Sequence, residues 1–305
     1  MMDILLSTYN GEKYLREQLD SLFAQNNNDF KVLVRDDCSN DKTLKIIEKY
    51  KDIYSDKIQV IDNNGTNLGS SRSFFELLRH SHSEFIFFCD QDDIWIADKL
   101  NLLMQFYNEN MLSSDKPVLI HTGATVVDKH LNVLKEQTVF FNKNKCGMEH
   151  SLIWQIFQND VTGCTVMINS AMRDIVNKID FSQCEIIQHD WLLALIAYLN
   201  DAKLYLTAET VKYRQHERNV VGVKRQGLFN RMHLKLLNGI SYKYYDQVAT
   251  LLKCDCIEDA KTTRLLSEFA DLKNKNKMFR VFWHIRHRFF REGNILYKVY
   301  QLFVC

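Results

Sequence analysis

The most informative stretch of this chain is Phe85-Ile-Phe-Phe-Cys-Asp-Gln-Asp-Asp-Ile-Trp95. Apolar, strand-favouring residues lead directly into Asp90, Asp92 and Asp93, and helix-forming residues follow from Asp98. The stretch therefore predicts a buried strand that ends in three carboxylates. Because carboxylates this close repel one another, we expect a divalent cation or several hydrogen-bond donors between them.

Strands alternate with helices on the N-terminal side of this stretch. Strands are predicted at residues 2–7, 30–35 and 57–62, and each is followed by a polar loop and then by apolar residues at helical spacing. This alternation is typical of parallel βαβ units with helices on both faces of the sheet. Right-handed crossovers would place all four strand-end loops on one edge, where ligands bind in such folds.

The second half of the chain follows a different pattern. Strands are predicted at residues 118–127, 161–168 and 203–211, and an apolar helix begins near Gln188, with Asp190 in a position to cap it. Beyond Gly222 only helices are predicted, at about residues 228–253, 258–273 and 278–303. We therefore expect an α/β domain over residues 1–222 and a helical C-terminal region over residues 223–305.

Composition narrows the class of protein. The 305 residues are 46% hydrophobic and 25% charged, with a net charge of +1, which gives no footprint for a nucleic-acid partner. The first residues lack the basic start of a signal peptide, and the longest apolar run, 191–199, is shorter than a membrane span. These features predict a cytoplasmic protein, in which the eight cysteines are reduced.

The motifs of the commonest enzyme classes with a parallel sheet are absent from this sequence. Residues 7–11 read Ser-Thr-Tyr-Asn-Gly where a dinucleotide-binding strand would carry G-x-G-x-x-G, and no Walker A, G-x-S-x-G or H-E-x-x-H motif occurs. An acidic metal site remains, with Tyr9 and Asp37 able to stack on or hydrogen-bond a base. This combination favours a nucleotide-diphosphate ligand whose phosphates are bridged by the cation.

A set of motifs, in this order, resembles inverting glycosyltransferase family 2 of the GT-A fold, and most closely its rhamnosyltransferase-like branch. The motifs are Ser7-Thr-Tyr-Asn-Gly11, Asp36-Asp-Cys-Ser-x-Asp41-x-Thr43, Asn67-Leu-Gly69, Asp90-Gln-Asp-Asp-Ile-Trp95, Thr162-Gly-Cys164, His189-Asp-Trp191 and Tyr213-Arg-Gln-His216. The resemblance covers about residues 2–222. Cys38 departs from the glycine that is commoner at its position.

The resemblance implies a role for each matching residue. Ser7, Tyr9 and Asp37 would contact the nucleotide base, Asp90 the ribose, and the Asn67–Gly69 turn would help to bind the donor. Asp92 would bind Mg²⁺ or Mn²⁺, with His216 as a second ligand or a phosphate contact. Asp190 would be the general base that deprotonates the acceptor hydroxyl, so that a single in-line attack inverts the anomeric carbon.

Structural alternatives remain open for several of these residues. Asp37 could cap the helix that follows it, and the Asp92–Asp93 pair could be a helix cap and its solvated neighbour. Asp190 could be a helix cap as well as a base. His216 could be a hydrogen-bonded structural residue, and the Asn67–Gly69 turn could serve backbone geometry alone.

The C-terminal segment from Lys275 is strongly basic, with seven Lys and Arg residues against Glu292. Its mixture of aromatics and arginines is typical of a helix that lies in a membrane interface, where it would meet anionic lipid and a lipid-linked acceptor. An ordinary solvated helix and a contact with a second subunit are the alternatives.

The function predicted from the sequence is metal-dependent, inverting transfer of a sugar to a bacterial surface polysaccharide, with L-rhamnose from dTDP-rhamnose as the first candidate. Two alternatives are a UDP-hexose donor on the same fold and an inactive sugar-nucleotide-binding scaffold of a glycan assembly complex.

Overall fold

The computed structural model of the chain describes residues 1–134, 151–181, 186–217, 240–253, 257 and 259–289. The chain forms two compact units. The first comprises Met1–Met148, Asp160–Asn177 and Ala202–Val223, and the second comprises Glu149–Asn159, Lys178–Asp201 and Lys224–Cys305. The domain boundary expected at residue 222 stays a prediction. Within the described residues, none of the helices combines the length and apolar character needed to cross a bilayer.

The first unit is built on one eight-stranded sheet in the order β3-β2-β1-β4-β7-β6-β8-β5. β1 pairs in parallel with β2 and β4, β2 with β3, and β6 with β8, whereas β7 and β5 run antiparallel to their neighbours. The strands are β1 (Met2–Thr8), β2 (Phe30–Asp36), β3 (Ile58–Val60), β4 (Phe85–Asp90), β5 (Ile94–Trp95), β6 (Leu119–Val127), β7 (Val166–Asn169) and β8 (Lys203–Arg214).

The core of this unit explains the apolar strands. β1, β2 and β4 are almost wholly buried, as expected for central parallel strands covered on both faces. Their side chains form one cluster with the apolar stripes of the first two helices, for example Ile4, Val32, Phe87, Leu19 and Ile47. The predicted α/β architecture with a mostly parallel sheet is confirmed.

The described helices belong to both units. The first unit contains α1 (Leu15–Phe23), α2 (Thr43–Ile53), α3 (Ser70–Arg79), α4 (Lys99–Glu109) and α6 (Ser170–Asn177). The second contains α5 (Leu152–Phe157), α7 (His189–Leu199), α8 (Ile240–Leu252), α9 (Ala260–Asp271) and α10 (Lys277–His287). The second unit has an aromatic core in which Phe269 packs against Tyr245, Trp283 and Phe289.

Three predicted elements differ from the structure. The strand expected over 161–168 begins with a 3₁₀ turn, Gly163–Thr165, because the amide and hydroxyl of Thr165 both donate to the Thr162 carbonyl. The helix expected to run to residue 303 ends at His287, since Arg288 turns into the left-handed region with φ 51°. The strand expected over 57–62 is only Ile58–Val60. The predicted helical residues 228–239 and 290–303 lie outside the described residues.

Candidate active site

The predicted gathering of strand-end loops is confirmed for β1, β2 and β4. Thr8, the last residue of β1, lies opposite Asp36 at the end of β2, and Ser7 lies opposite Asp90 at the end of β4. Parallel pairing thus brings three polar loops to one edge of the sheet. The Ser7 side chain is half-buried at this edge, and the Tyr9 side chain is 48% exposed, so its ring is open to a stacking partner.

The loop after β2 is held by two buried carboxylates with different partners. Asp36 accepts hydrogen bonds from the Thr8 hydroxyl (2.9 Å) and from the Ser39 amide and hydroxyl (2.7 and 2.6 Å). Cys38, which lies between Asp36 and Ser39 in the sequence, has φ 67°. This left-handed conformation explains why glycine is commoner there, since a Cβ makes the conformation costly.

The Asp37 carboxylate ties β2 to the loop before α3. It accepts a hydrogen bond of 2.6 Å from the buried Arg35 guanidinium and bonds of 2.7 Å from the backbone amides of Leu68 and Gly69. The alternative in which Asp37 caps the next helix is therefore wrong for α2, whose N-cap is Lys42. Asp37 instead holds the backbone immediately before α3.

The Asn67–Gly69 turn depends on backbone geometry. The side-chain nitrogen of Asn67 donates to the Asp37 carbonyl at 2.8 Å. Gly69, the N-cap residue of α3, has φ 75° and ψ 160°. Only glycine adopts these angles without strain. The structural role of both residues is thus evident, and their contact with a donor stays a prediction.

Gln91 joins the loops after β1 and β4. Its side-chain oxygen accepts from the Tyr9 amide at 2.8 Å, and its side-chain nitrogen donates to the Tyr9 carbonyl at 3.0 Å. Gly11 makes room for this clamp, because a Cβ at that position would lie 2.2 Å from the Gln91 oxygen. The clamp is not evident from the sequence, although the place of Gln91 between Asp90 and Asp92 is a usable signal.

The three acids of the opening stretch have different surroundings. Asp90 is half-buried, whereas Asp93 is fully buried and accepts a hydrogen bond of 2.9 Å from the Arg214 amide. Burial, and then the charges of Asp92 and Asp90, raise the pKa of Asp93 well above its usual range. Asp92 forms a hydrogen bond of 2.8 Å with Nε2 of His216. The structure thus brings together the two predicted metal ligands.

Lys99 is fully buried and interacts electrostatically with Asp93 and Asp90. Its ammonium donates to the Cys164 carbonyl at 2.5 Å and lies 3.6 Å from the centre of the Trp95 ring. Burial lowers the pKa of Lys99 to about 8. Its hydrogen bond to the Cys164 carbonyl holds the 3₁₀ turn before β7.

Arg214 and Tyr14 contact the two members of the Asp92–His216 pair and hold them in position. The buried Arg214 guanidinium donates to the Asp92 carbonyl (2.9 Å) and to Glu17 (2.6 Å), and it lies 4.5 Å from the centre of the Tyr14 ring. The same ring stacks on His216 with centroids 4.8 Å apart. The sequence shows Arg214 only as part of a motif, and neither positioning role can be predicted from it because the partners come from distant segments.

The donor set of Asp92 and His216 fits a divalent cation. Carboxylate oxygen and imidazole nitrogen are ligands that Mg²⁺ or Mn²⁺ accepts, and the second carboxylate, Asp90, is near in sequence. Ligand atoms of Asp90, Asp93 and Cys164 also lie within 4.8 Å of one another. That second group fits a cation less well, because burial raises the pKa of both Asp93 and Cys164 and so favours their neutral forms.

Asp190, the candidate base, belongs to the second unit. It lies in the first turn of α7 and is 7% exposed, and its carboxylate accepts a hydrogen bond of 2.7 Å from the Trp191 amide. The expectation that Asp190 is the N-cap is wrong, since Gln188 occupies that position. The Trp191 indole donates to the Gln155 carbonyl at 2.6 Å, which anchors this end of the helix. The catalytic role of Asp190 stays a prediction.

Comparison with known proteins assigns the family. The model of glycosyl transferase family 2 matches residues 3–176. The chain is 28% identical over 268 residues to the dTDP-rhamnosyl transferase RfbG of Shigella flexneri, which covers 84% of this chain and 86% of that protein. It is 36% identical over 109 residues to the poly(ribitol-phosphate) beta-N-acetylglucosaminyltransferase TarS of Staphylococcus aureus, or 35% of this chain and 19% of that protein.

The solved structures show the same fold. The crystal structure of S. aureus TarS 1–349 in complex with UDP-GlcNAc matches with a TM-score of 0.55 at 20% identity, over 96% of this chain and 94% of that chain. The predicted GT-A fold is confirmed. Since the family model covers more than half of the residues, the chain belongs to glycosyl transferase family 2 and is a glycosyltransferase.

Proposed function

We propose that this protein is a metal-dependent, inverting glycosyltransferase that moves L-rhamnose from dTDP-rhamnose to a bacterial surface polysaccharide. The observation that carries the proposal is the Asp92–His216 pair, at 2.8 Å, next to the loops that present Tyr9 and Asp37. The similarity to RfbG over 86% of that protein supports the choice of donor.

The loops of the first unit bind the donor in this proposal. Ser7, Tyr9 and Asp37 contact the base, and Asp90 contacts the ribose. A carboxylate offers about four lone-pair sites. Three N–H groups among the described residues occupy the Asp37 carboxylate, so it can accept one more hydrogen bond from a base. The Asn67–Gly69 turn holds this carboxylate in place for that contact.

Asp92 and His216 would hold a divalent cation in this proposal. When bound, a divalent cation supplies positive charge that stabilises the leaving diphosphate more in the transition state than in the ground state. Arg214 and Tyr14 keep the two ligands in position, and Gln91 couples their loop to Tyr9. Asp190 accepts the proton of the acceptor hydroxyl, and its carboxylate is held toward the start of α7 by the Trp191 amide.

We further propose that the acceptor is a growing or lipid-linked glycan, reached from the cytoplasmic side of the membrane. A UDP-hexose donor is the second candidate. The 36% identity over 109 residues to TarS, which was solved in complex with UDP-GlcNAc, favours it. The inactive scaffold is the remaining alternative, against which the presence of both metal ligands and a candidate base argues.

A thermal-shift panel of sugar nucleotides with and without Mn²⁺ tests the donor. A ligand present at 100 times its dissociation constant stabilises the native state by about 2.7 kcal/mol. We expect this stabilisation for dTDP-rhamnose with Mn²⁺ and its loss in Asp92→Asn. Preferential stabilisation by a UDP-hexose would contradict the first choice of donor.

Turnover tests the base. With donor, acceptor glycan and Mn²⁺, Asp190→Asn should retain donor binding but release nucleoside diphosphate about 10²–10⁴-fold more slowly. Asp52→Asn, an exposed change on α2, is the matched control and should behave as the native protein. Full activity of Asp190→Asn would disprove its role, and donor binding without turnover on any acceptor would favour the scaffold.

A further inference from the structure

The helix α10 presents an apolar face to solvent. Met278 is 84% exposed, Phe279 45%, Phe282 60% and Ile285 53%. Met278, Phe282 and Ile285 are spaced i, i+4 and i+7, so they lie on one side of the helix. We call these four residues the α10 apolar face.

The opposite side of α10 fixes the helix in the second unit. Trp283 is 5% exposed and donates to Glu268 at 3.2 Å, and the fully buried His284 contacts the Tyr245 hydroxyl at 3.3 Å and the Phe289 carbonyl at 2.7 Å. The helix is therefore anchored by its buried side. The exposure of the other side is a property of the folded unit, unlike that of a loosely attached helix.

Such a face needs an explanation. Single exposed apolar residues are normal on a protein surface, but four large ones within eight positions form a contiguous patch, which is typical of an interaction site. Because the burial of apolar area is the main source of binding free energy, this patch would gain stability from any apolar partner that covers it.

The charge around the face selects the kind of partner. Between Leu272 and Phe289 the sequence has six Lys and Arg residues and no Asp or Glu. Lys277, Arg286 and Arg288 are exposed. The Lys275 ammonium lies 6.0 Å from the centre of the Phe279 ring and pairs with Asp271 at 2.8 Å. An apolar face with exposed cations on the same helix and just beyond its end complements a surface with an apolar interior and anionic groups at its boundary.

We propose that the α10 apolar face docks on an anionic lipid bilayer, with the helix axis in the plane of the membrane. Phe282, Ile285 and Met278 enter the boundary between headgroups and acyl chains, and Lys277 and Arg286 meet the anionic headgroups. A second copy of the chain is a poorer occupant, because two copies of this cation-rich face would repel each other. Lipid docking is independent of the donor and of the transfer reaction.

Vesicle flotation of the full-length protein tests the proposal. The vesicles contain phosphatidylcholine alone or phosphatidylcholine with phosphatidylglycerol. We expect binding to the anionic vesicles only, weakened by salt, and reduced about tenfold or more in Phe282→Glu/Ile285→Glu. The control Ile53→Glu/Met111→Glu adds the same charge at residues of the first unit that are 59% and 91% exposed, and it should bind as the native protein does.

Circular dichroism and sedimentation without vesicles complete the test. Both double variants should keep the native spectrum, since all four replaced side chains are exposed. The proposal is overturned if the native protein ignores anionic vesicles, or if Phe282→Glu/Ile285→Glu binds them as well as the control does. A dimer that dissociates only in the Phe282→Glu/Ile285→Glu variant would also overturn it, because the second copy would then be the occupant.

Discussion

Gly11 and Gln91 should be strongly coupled. An alanine Cβ at position 11 would lie 2.2 Å from the Gln91 side-chain oxygen and 2.7 Å from its Cδ, so the amide must leave the Tyr9 backbone. Gln91 would then lose both hydrogen bonds to Tyr9. At about 0.5–1.5 kcal/mol net for each bond, the loss is about 1–3 kcal/mol.

The backbone of Gly11 sharpens this prediction, because its φ lies outside the left-handed region. Alanine therefore fits the backbone there, and Gly→Ala at a compatible position stabilises by about 0.4–1 kcal/mol through the unfolded state. Gly11→Ala should thus destabilise the native protein by about 0.5–2 kcal/mol. In a Gln91→Ala background, where the clash is gone, the same change should stabilise it.

Urea unfolding of the four proteins in this double-mutant cycle measures the coupling. We expect an interaction free energy of about 1–3 kcal/mol, with the sign of the Gly11→Ala effect reversed between the two backgrounds. Donor affinity should fall in both single variants, because each releases Tyr9. Additivity within about 0.5 kcal/mol would refute the clamp as the reason for the glycine.

Two further predictions concern Tyr14 and His121. The buried Tyr14 hydroxyl lacks a hydrogen-bond partner among the described residues, so the Tyr14→Phe variant should bind Mn²⁺ normally. The Tyr14→Leu variant loses the ring that contacts His216 and Arg214 and should bind Mn²⁺ about tenfold more weakly. Equal Mn²⁺ affinities of the two variants, measured by electron paramagnetic resonance, would contradict this prediction. Burial lowers the pKa of His121 from 6.5 to about 4. Its contribution to the free energy of unfolding is therefore complete above pH 6.5, where His121 is neutral in both the folded and the unfolded protein. About 3 kcal/mol of that free energy is lost as the pH falls to 4. Urea unfolding between pH 6.5 and 4 should show a smaller loss of unfolding free energy in His121→Leu than in the native protein. If the unfolding free energies of the two proteins fall in parallel with pH, the lowered pKa of His121 is contradicted.

Much of the fold could be predicted because local pattern and topology agree. Each apolar run followed by a polar loop implied a buried strand and a crossover, and the parallel register then required Thr8, Asp36 and Asp90 to meet at one edge. The ordered motifs also predict Asp92 and His216 as ligands of one cation, and the two side chains are in contact.

The errors have local physical causes. The Asp190 and Asp37 caps were assigned from sequence position, but a carboxylate accepts from whichever amide the chain brings near, and for Asp37 these are the amides of Leu68 and Gly69. The end of α10 at His287 depends on Arg288 turning into the left-handed region, which helical periodicity does not reveal.

The sequence by itself determined the α/β class, the acid-ended strand and the order of motifs that marks the family, because hydrophobic period and motif spacing are properties of the linear chain. Only the tertiary structure decided that Gln91 clamps Tyr9, that Arg214 and Tyr14 frame the Asp92–His216 pair, and that α10 exposes its apolar side. These features join residues that are distant in sequence, or depend on which side of a helix finds a partner. Packing decides both, because a buried polar group must find its hydrogen-bond partner wherever the fold brings one.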